Sequence, residues 1–107
     1  METKAAVQAF QALAQETRLD VFRLLVTAGP DGLPAGQIAQ ELAVPANTLS
    51  FHLSALKQAG MVTCRRDGRS LIYTANFRAM RDLTAFLTEN CCVRSRGVDD
   101  GHLQESG

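Results

Sequence analysis

The hydrophobic pattern of this 107-residue chain changes period along its length. From Lys4 to Ala14, Ala6, Phe10 and Leu13 recur at helical spacing among Gln and Ala, which predicts a short amphipathic helix with those three on its inner face. A second helix is predicted over Glu16 to Ala28, with Leu19, Phe22, Leu25 and Val26 turned inward and Arg18 and Arg23 directed outward. Gly29-Pro30-Asp31-Gly32 stops it. Ile38, Ala39 and Leu42 mark a two-turn helix from Ala35 to Leu42, and Val44-Pro45 puts a proline at the first position of the next helix, Pro45 to Ala59. In that helix Leu49, Leu53 and Leu56 share the inner face, leaving Asn47, Ser50, Phe51, Ser54 and Gln58 on the opposite side.

At Gly60, placed as a left-handed cap, the pattern switches to alternation. Met61 to Arg66 and Ser70 to Thr74 are predicted strands, joined by Asp67-Gly68-Arg69 as a tight hairpin loop. A last helix from Phe77 to Cys91 carries Met80, Leu83, Phe86 and Leu87 on one face. From Val93 onward the chain is polar and glycine-rich without a pattern, so 1–92 is expected to be one domain and 93–107 a flexible tail.

Composition narrows the class. Although 46% of residues are hydrophobic, no run approaches the roughly 20 apolar residues of a membrane span. Met1 to Ala6 lacks the layout of an export signal, so a cytoplasmic location without membrane contact is expected. Three cysteines cannot all pair, and in a reducing compartment they remain available as soft thiolate ligands. The formal net charge is zero, yet between Leu42 and Arg81 stand Lys57, Arg65, Arg66, Arg69, Arg78 and Arg81 against the single acid Asp67. That local surplus suits an anionic partner. The only histidines are His52 and His102, and no nucleophile is visibly paired with a base, so an enzyme is not expected.

Two short helices joined by a tight turn, the second with small polar residues outward, make a helix-turn-helix over Ile38 to Leu56, and the hairpin after it makes a wing. The expected fold class is therefore mainly α with a β-hairpin wing. In such a unit the outward face of the second helix meets base edges in the major groove of double-stranded operator DNA, for which Asn47, Thr48, Ser50 and Ser54 supply amide and hydroxyl groups. Arg65 and Arg66 on the first strand and Arg69 at the tip suit phosphates or an adjacent minor groove.

The stretches Leu13-Ala14-Gln15-Glu16-Thr17-Arg18-Leu19, Ile38-Ala39-Gln40-Glu41-Leu42, Thr48-Leu49-Ser50-Phe51-His52-Leu53-Ser54-Ala55-Leu56, Ala59-Gly60-Met61-Val62 and Arg66-Asp67-Gly68-Arg69 with Tyr73, in that order, resemble the ArsR/SmtB family of arsenic- and metal-responsive repressors. The resemblance covers about residues 8 to 92 and implies a winged-helix homodimer whose first and last helices pair across the two-fold axis. It departs from the family pattern at Ala43, where the turn often has glycine, so the turn either avoids positive φ or carries strain. Phe51 stands where many relatives carry a polar or basic residue; contact with a thymine methyl and packing on the DNA backbone are both open to it. His52 matches the family's recognition-helix histidine, a candidate DNA contact, although a lone histidine beside a core face is ordinarily a hydrogen-bonded packing residue.

Many relatives bind metal through a Glu-Leu-Cys-Val-Cys pattern before the recognition helix; here Pro34 to Ala39 holds no ligand. Zinc-sensing relatives use Asp and His on the last helix, but no histidine lies between Arg78 and Asn90. What remains is Cys91-Cys92, whose Glu-Asn-Cys-Cys context resembles the arsenic-sensing members. Two neighbouring thiolates can bond one sulfur-seeking centre, and Arg94 and Arg96 should favour the thiolate form. The implied inducer is trivalent arsenic, as arsenite or a methylated species, or antimony, with no constitutive cofactor. Cys64, on the first hairpin strand, is the possible third ligand. The alternatives are a redox-sensing repressor using the same thiols, and a winged-helix module that binds a protein and no DNA.

Overall fold

The structure, a computed structural model, describes residues 1–95. Five helices and a small sheet follow in the order α1 (Thr3–Leu13), α2 (Glu16–Ala28), a 3-10 turn (Gly29–Asp31), β1 (Leu33–Pro34), α3 (Ala35–Leu42), α4 (Ala46–Gln58), β2 (Val62–Asp67), β3 (Ser70–Ala75) and α5 (Phe77–Thr88). The expected mainly helical fold with a hairpin wing is what forms. The flexible tail expected beyond Val93 lies, from residue 96 on, outside the described residues.

The core is built by the predicted stripe. Leu49, Leu53 and Leu56 of α4 are buried with Ile38 of α3 and Val21, Phe22 and Leu25 of α2. Truncating any one of the three leucines to alanine would cost roughly 2–5 kcal/mol. Two rotations differ from expectation. In α1 the buried side chains are Ala6, Ala9 and Ala12, whereas Phe10 is 40% exposed. Small residues let α1 lie close against α2 and α4, and its large ones, Val7 and Phe10, face away. In α2, Leu19 is 43% exposed and Val21 takes the inner position. Arg18, expected outward, is half-buried because its Nε donates to the Ala12 carbonyl oxygen at 2.7 Å, tying the end of α1 to the start of α2. At the same junction the Gln15 side chain caps α2 by accepting from the Arg18 backbone N–H at 2.9 Å.

The sheet has three antiparallel strands in the order β1-β3-β2. The two-residue β1 was not expected, since Leu33-Pro34 has no alternation to read; it pairs Leu33 with Tyr73 and Pro34 with Ile72. Gly32, just before it, has φ 72° and approaches β3 so closely that a Cβ there would meet the Tyr73 carbonyl oxygen and the Thr74 hydroxyl. Asp67, expected in the loop, pairs with Ser70, which leaves a two-residue turn at Gly68-Arg69. Pro45 sits at the N-cap of α4 rather than one residue inside it.

Both helices of the helix-turn-helix end in the same way. At α4 the Gly60 N–H donates to the Lys57 carbonyl and the Met61 N–H to the Leu56 carbonyl, with Gly60 at φ 78°. At α3 the Ala43 N–H donates to Gln40 and the Val44 N–H to Ala39, with Ala43 at φ 54°. Each is a Schellman cap, but the first uses glycine and the second forces an alanine into the left-handed region. Of the two outcomes open for the turn, strain is the one realised. Asn76 then joins the wing to α5. Its Oδ1 accepts from the Ala79 N–H at 3.1 Å as the N-cap of α5, and its Nδ2 donates to the Gly60 carbonyl at 2.8 Å.

Ala43→Gly should therefore stabilise the protein, by about 0.5–1 kcal/mol after glycine's extra unfolded-state entropy is set against the relieved strain. Gly60→Ala should destabilise it by roughly 1 kcal/mol. Denaturant midpoints of the two variants, expected to move in opposite directions, check this.

Candidate nucleic-acid interface and thiol pair

With its leucines committed inward, α4 presents Asn47, Thr48, Ser50, Phe51 and Ser54 to solvent. All five belong to the expected reading face, and Phe51 is 78% exposed. The Asn47 Oδ1 accepts from the Thr48 N–H at 3.0 Å. No side chain caps α4, so its remaining first-turn N–H groups are open to water or to an anion. His52 is half-buried, and its Nδ1 is shielded from solvent without a hydrogen-bond partner among the described residues.

The wing separates its arginines. Register places Arg66 opposite Leu71 on one face and Arg65 opposite Ile72 on the other. Arg65 reaches back from β2 and its guanidinium donates to the Asp31 carbonyl at 3.2 Å, so it braces the wing against the 3-10 turn. Sequence spacing gave no signal of this contact, which spans 34 residues. Arg66 and Arg69 are exposed, with Arg69 at the tip.

Cys64 lies in mid-strand opposite Tyr73. The Tyr73 hydroxyl is held above its ordinary pKa, first by burial and then by the Cys64 thiol opposite it. Cys91 and Cys92 are elsewhere: α5 ends at Thr88 rather than at Cys91, and the pair occupies a turn just beyond it. Asn90 and Cys92 adopt positive φ of 59° and 67°, and the turn brings the two Sγ atoms to 2.9 Å. This is well beyond a disulfide bond of about 2.05 Å. Among the described residues no three Cys, His, Asp or Glu side chains gather as a metal site, so one chain does not bring Cys64 together with the pair.

Tyr73 is the only tyrosine and the chain has no tryptophan, so its phenolate absorbance can be titrated directly. Cys64→Ala should lower the Tyr73 midpoint only part of the way towards the ordinary tyrosine value, because burial is the larger cause. Because the folded-state pKa is raised, the linked stability is present below the unfolded tyrosine value, about 10, and is lost as pH rises through the folded value. A midpoint unmoved by the substitution would show that the thiol contact does not shape this titration.

Comparison with known proteins now fits the geometry. A helix-turn-helix domain model matches residues 13–65. The chain is 33% identical over 73 residues to the transcriptional repressor SdpR of Bacillus subtilis, covering 68% of this chain and 78% of that protein. It is 37% identical over 75 residues to a putative arsenical resistance operon repressor ArsR of Halobacterium salinarum, covering 70% of this chain and 57% of that one. An ArsR-like transcriptional regulator from Rhodococcus sp. RHA1 superposes with TM-score 0.72 at 25% identity, covering 96% of this chain and 90% of the other. The homodimeric winged helix-turn-helix domain of Mb0332 from Mycobacterium bovis, a possible ArsR-family regulator, superposes with TM-score 0.67 at 26% identity, covering 95% and 84%. These relatives are transcriptional regulators and not enzymes. A polar-faced second helix set on a leucine stripe, a basic wing and these likenesses together place the chain in the ArsR family of DNA-binding, winged helix-turn-helix transcriptional regulators.

Proposed function

We propose that this chain is a homodimeric repressor that leaves its operator when trivalent arsenic bridges Cys91 and Cys92. The observation that carries the reading is the pair of Sγ atoms 2.9 Å apart immediately after α5. The arsenic chemistry balances without redox change: each thiol displaces one hydroxyl from arsenic, an As–S bond replaces an As–O bond, and water leaves. Arsenite has three such valences. A methylated trivalent arsenic has one taken by carbon and needs two sulfurs, the number the pair supplies. The site therefore responds to methylated arsenic at least as well as to arsenite, for which a third sulfur comes from the partner's pair, a small thiol or the partner's Cys64; trivalent antimony is a further inducer. Likeness to the Halobacterium protein supports the arsenic assignment.

On DNA, Asn47, Thr48, Ser50, Phe51 and Ser54 face base edges and Arg66 and Arg69 hold phosphates. Arg65 contributes chiefly by bracing the wing. His52 contacts DNA only through the part of its ring that is not buried. The dimer uses the outer faces of α1 and α5, where Val7, Phe10 and Leu87 are exposed, Leu87 at 61%. Leu83 belongs to the protomer's own core at 5% exposure and is not an interface residue. Homodimeric Mb0332 supports assembly as a homodimer. Because the thiol turn continues directly from α5, closing it around arsenic perturbs the dimer helices. That alters the spacing of the two α4 helices, which must fit half-sites about one DNA turn apart.

The test is DNA release measured with arsenite and with methylarsonous acid on wild type, Cys64→Ser and the double variant Cys91→Ser, Cys92→Ser. Methylarsonous acid should release wild type at concentrations no higher than arsenite does, and the double variant should stay bound in both. Arsenite-driven release that survives loss of both adjacent thiols ends the proposal, and release that requires Cys64 identifies it as a ligand.

For the dimer, Val7→Glu with Phe10→Glu should give folded monomers by sedimentation with DNA affinity reduced at least tenfold, a loss of about 1.4 kcal/mol. Full-affinity dimers would place the interface elsewhere.

A further inference from the structure

Phe51 is the most exposed large apolar side chain among the described residues, at 78%. An exposed apolar residue is ordinary on a protein surface, but this one is at the centre of the outward face of α4. Asn47 lies one turn before it, Ser54 one turn after, and Ser50 beside it, all exposed. The core does not use its ring, since the leucine stripe takes the whole inner side of the helix.

The rest of the helix limits what the face can read. The α4 sequence Ala46 to Gln58 contains no Asp or Glu to accept from cytosine N4, and no Arg for the bidentate acceptors of guanine; its one basic residue is Lys57 in the last turn. What it offers is two exposed amides, Asn47 and Gln58, which match adenine N6 and N7, hydroxyls, which suit any base, the unburied part of the His52 ring, and one exposed apolar ring, Phe51. The major groove has a single apolar feature that an aromatic ring can match, the 5-methyl group of thymine.

We propose that Phe51 is a specificity-determining residue, reading a thymine 5-methyl group in each operator half-site. The proposal rests on α4 entering the major groove and goes beyond it by naming the base and the group on it. The ring packs against the methyl, and both lose water. Asn47, one turn earlier, is positioned towards a neighbouring base pair, so the two select an A·T-rich half-site.

The experiment starts from duplexes selected out of a randomised pool by the wild-type dimer. Each thymine of the preferred sequence is replaced singly by deoxyuridine, which removes the methyl and leaves every hydrogen-bonding group in place. The expected result is one position per half-site at which the change weakens wild-type binding about three- to fivefold, the size of one lost methyl contact. Phe51→Ala should bind the thymine duplex about as weakly as wild type binds the deoxyuridine duplex, and should not distinguish the two. Phe51→Leu should retain part of the discrimination. Because Phe51 is exposed these variants should fold, which their denaturant midpoints establish. Wild-type binding indifferent to every methyl overturns the proposal. So does a Phe51→Ala variant that keeps full discrimination, or one that loses affinity equally on both duplexes, as a ring packed on the sugar-phosphate backbone would. Failure to select any sequence would instead overturn the major-groove role of α4, a result distinct from a selected sequence that ignores methyls.

Discussion

Burial of Leu49, Leu53 and Leu56 sets the rotation of α4, and the rest of the surface chemistry follows from that rotation. A helix has one azimuth at which those three leave water together. At that azimuth Asn47, Ser50, Phe51 and Ser54 face out, and no other arrangement of the helix exposes all four while keeping the leucines against Ile38, Val21 and Leu25. The reading face is thus a by-product of core packing. Substitutions on it should cost little stability, because the energy that orients the helix lies on the other side.

Position along the chain is controlled by caps. Paired Schellman bonds at Ala43 and Gly60 stop α3 and α4, and Asn76 returns to the Gly60 carbonyl while capping α5. The end of α4, the base of the wing and the start of α5 therefore meet at one hydrogen-bonded junction. Asn76 thus ties the start of α5 directly to the end of α4. Alanine at position 43 retains a left-handed conformation that glycine would adopt without strain.

The first helix is turned opposite to ordinary expectation. Alanines at 6, 9 and 12 face its own domain and Val7 and Phe10 face outward. A helix that spends its small side chains on intramolecular packing can approach its neighbours closely, yet leaves its larger apolar groups uncovered, an arrangement suited to a partner subunit. In the wing, Arg65 reaches back to the Asp31 carbonyl and braces the hairpin, a contact that Arg66 and Arg69 do not share.

Sequence by itself determined the order and kind of the helices, the hairpin, the leucine stripe and the polar face opposite it, because each is written in a local period of three to four or of two residues. It also placed two adjacent thiols at the end of the last helix, although the structure ends that helix earlier, at Thr88. Tertiary structure decided what depends on contacts far apart in the chain. The packing of α1 against α2 and α4 selected alanines over Phe10 for burial, since periodicity marks an apolar stripe but not which of two stripes has a neighbour within the protomer. The Arg18 contact with Ala12, the Arg65 contact with Asp31, the two-residue β1 and the separation of Cys64 from Cys91 and Cys92 have no local signature either. Each is settled by where the folded chain brings a partner atom, and spacing along the sequence carries no record of that.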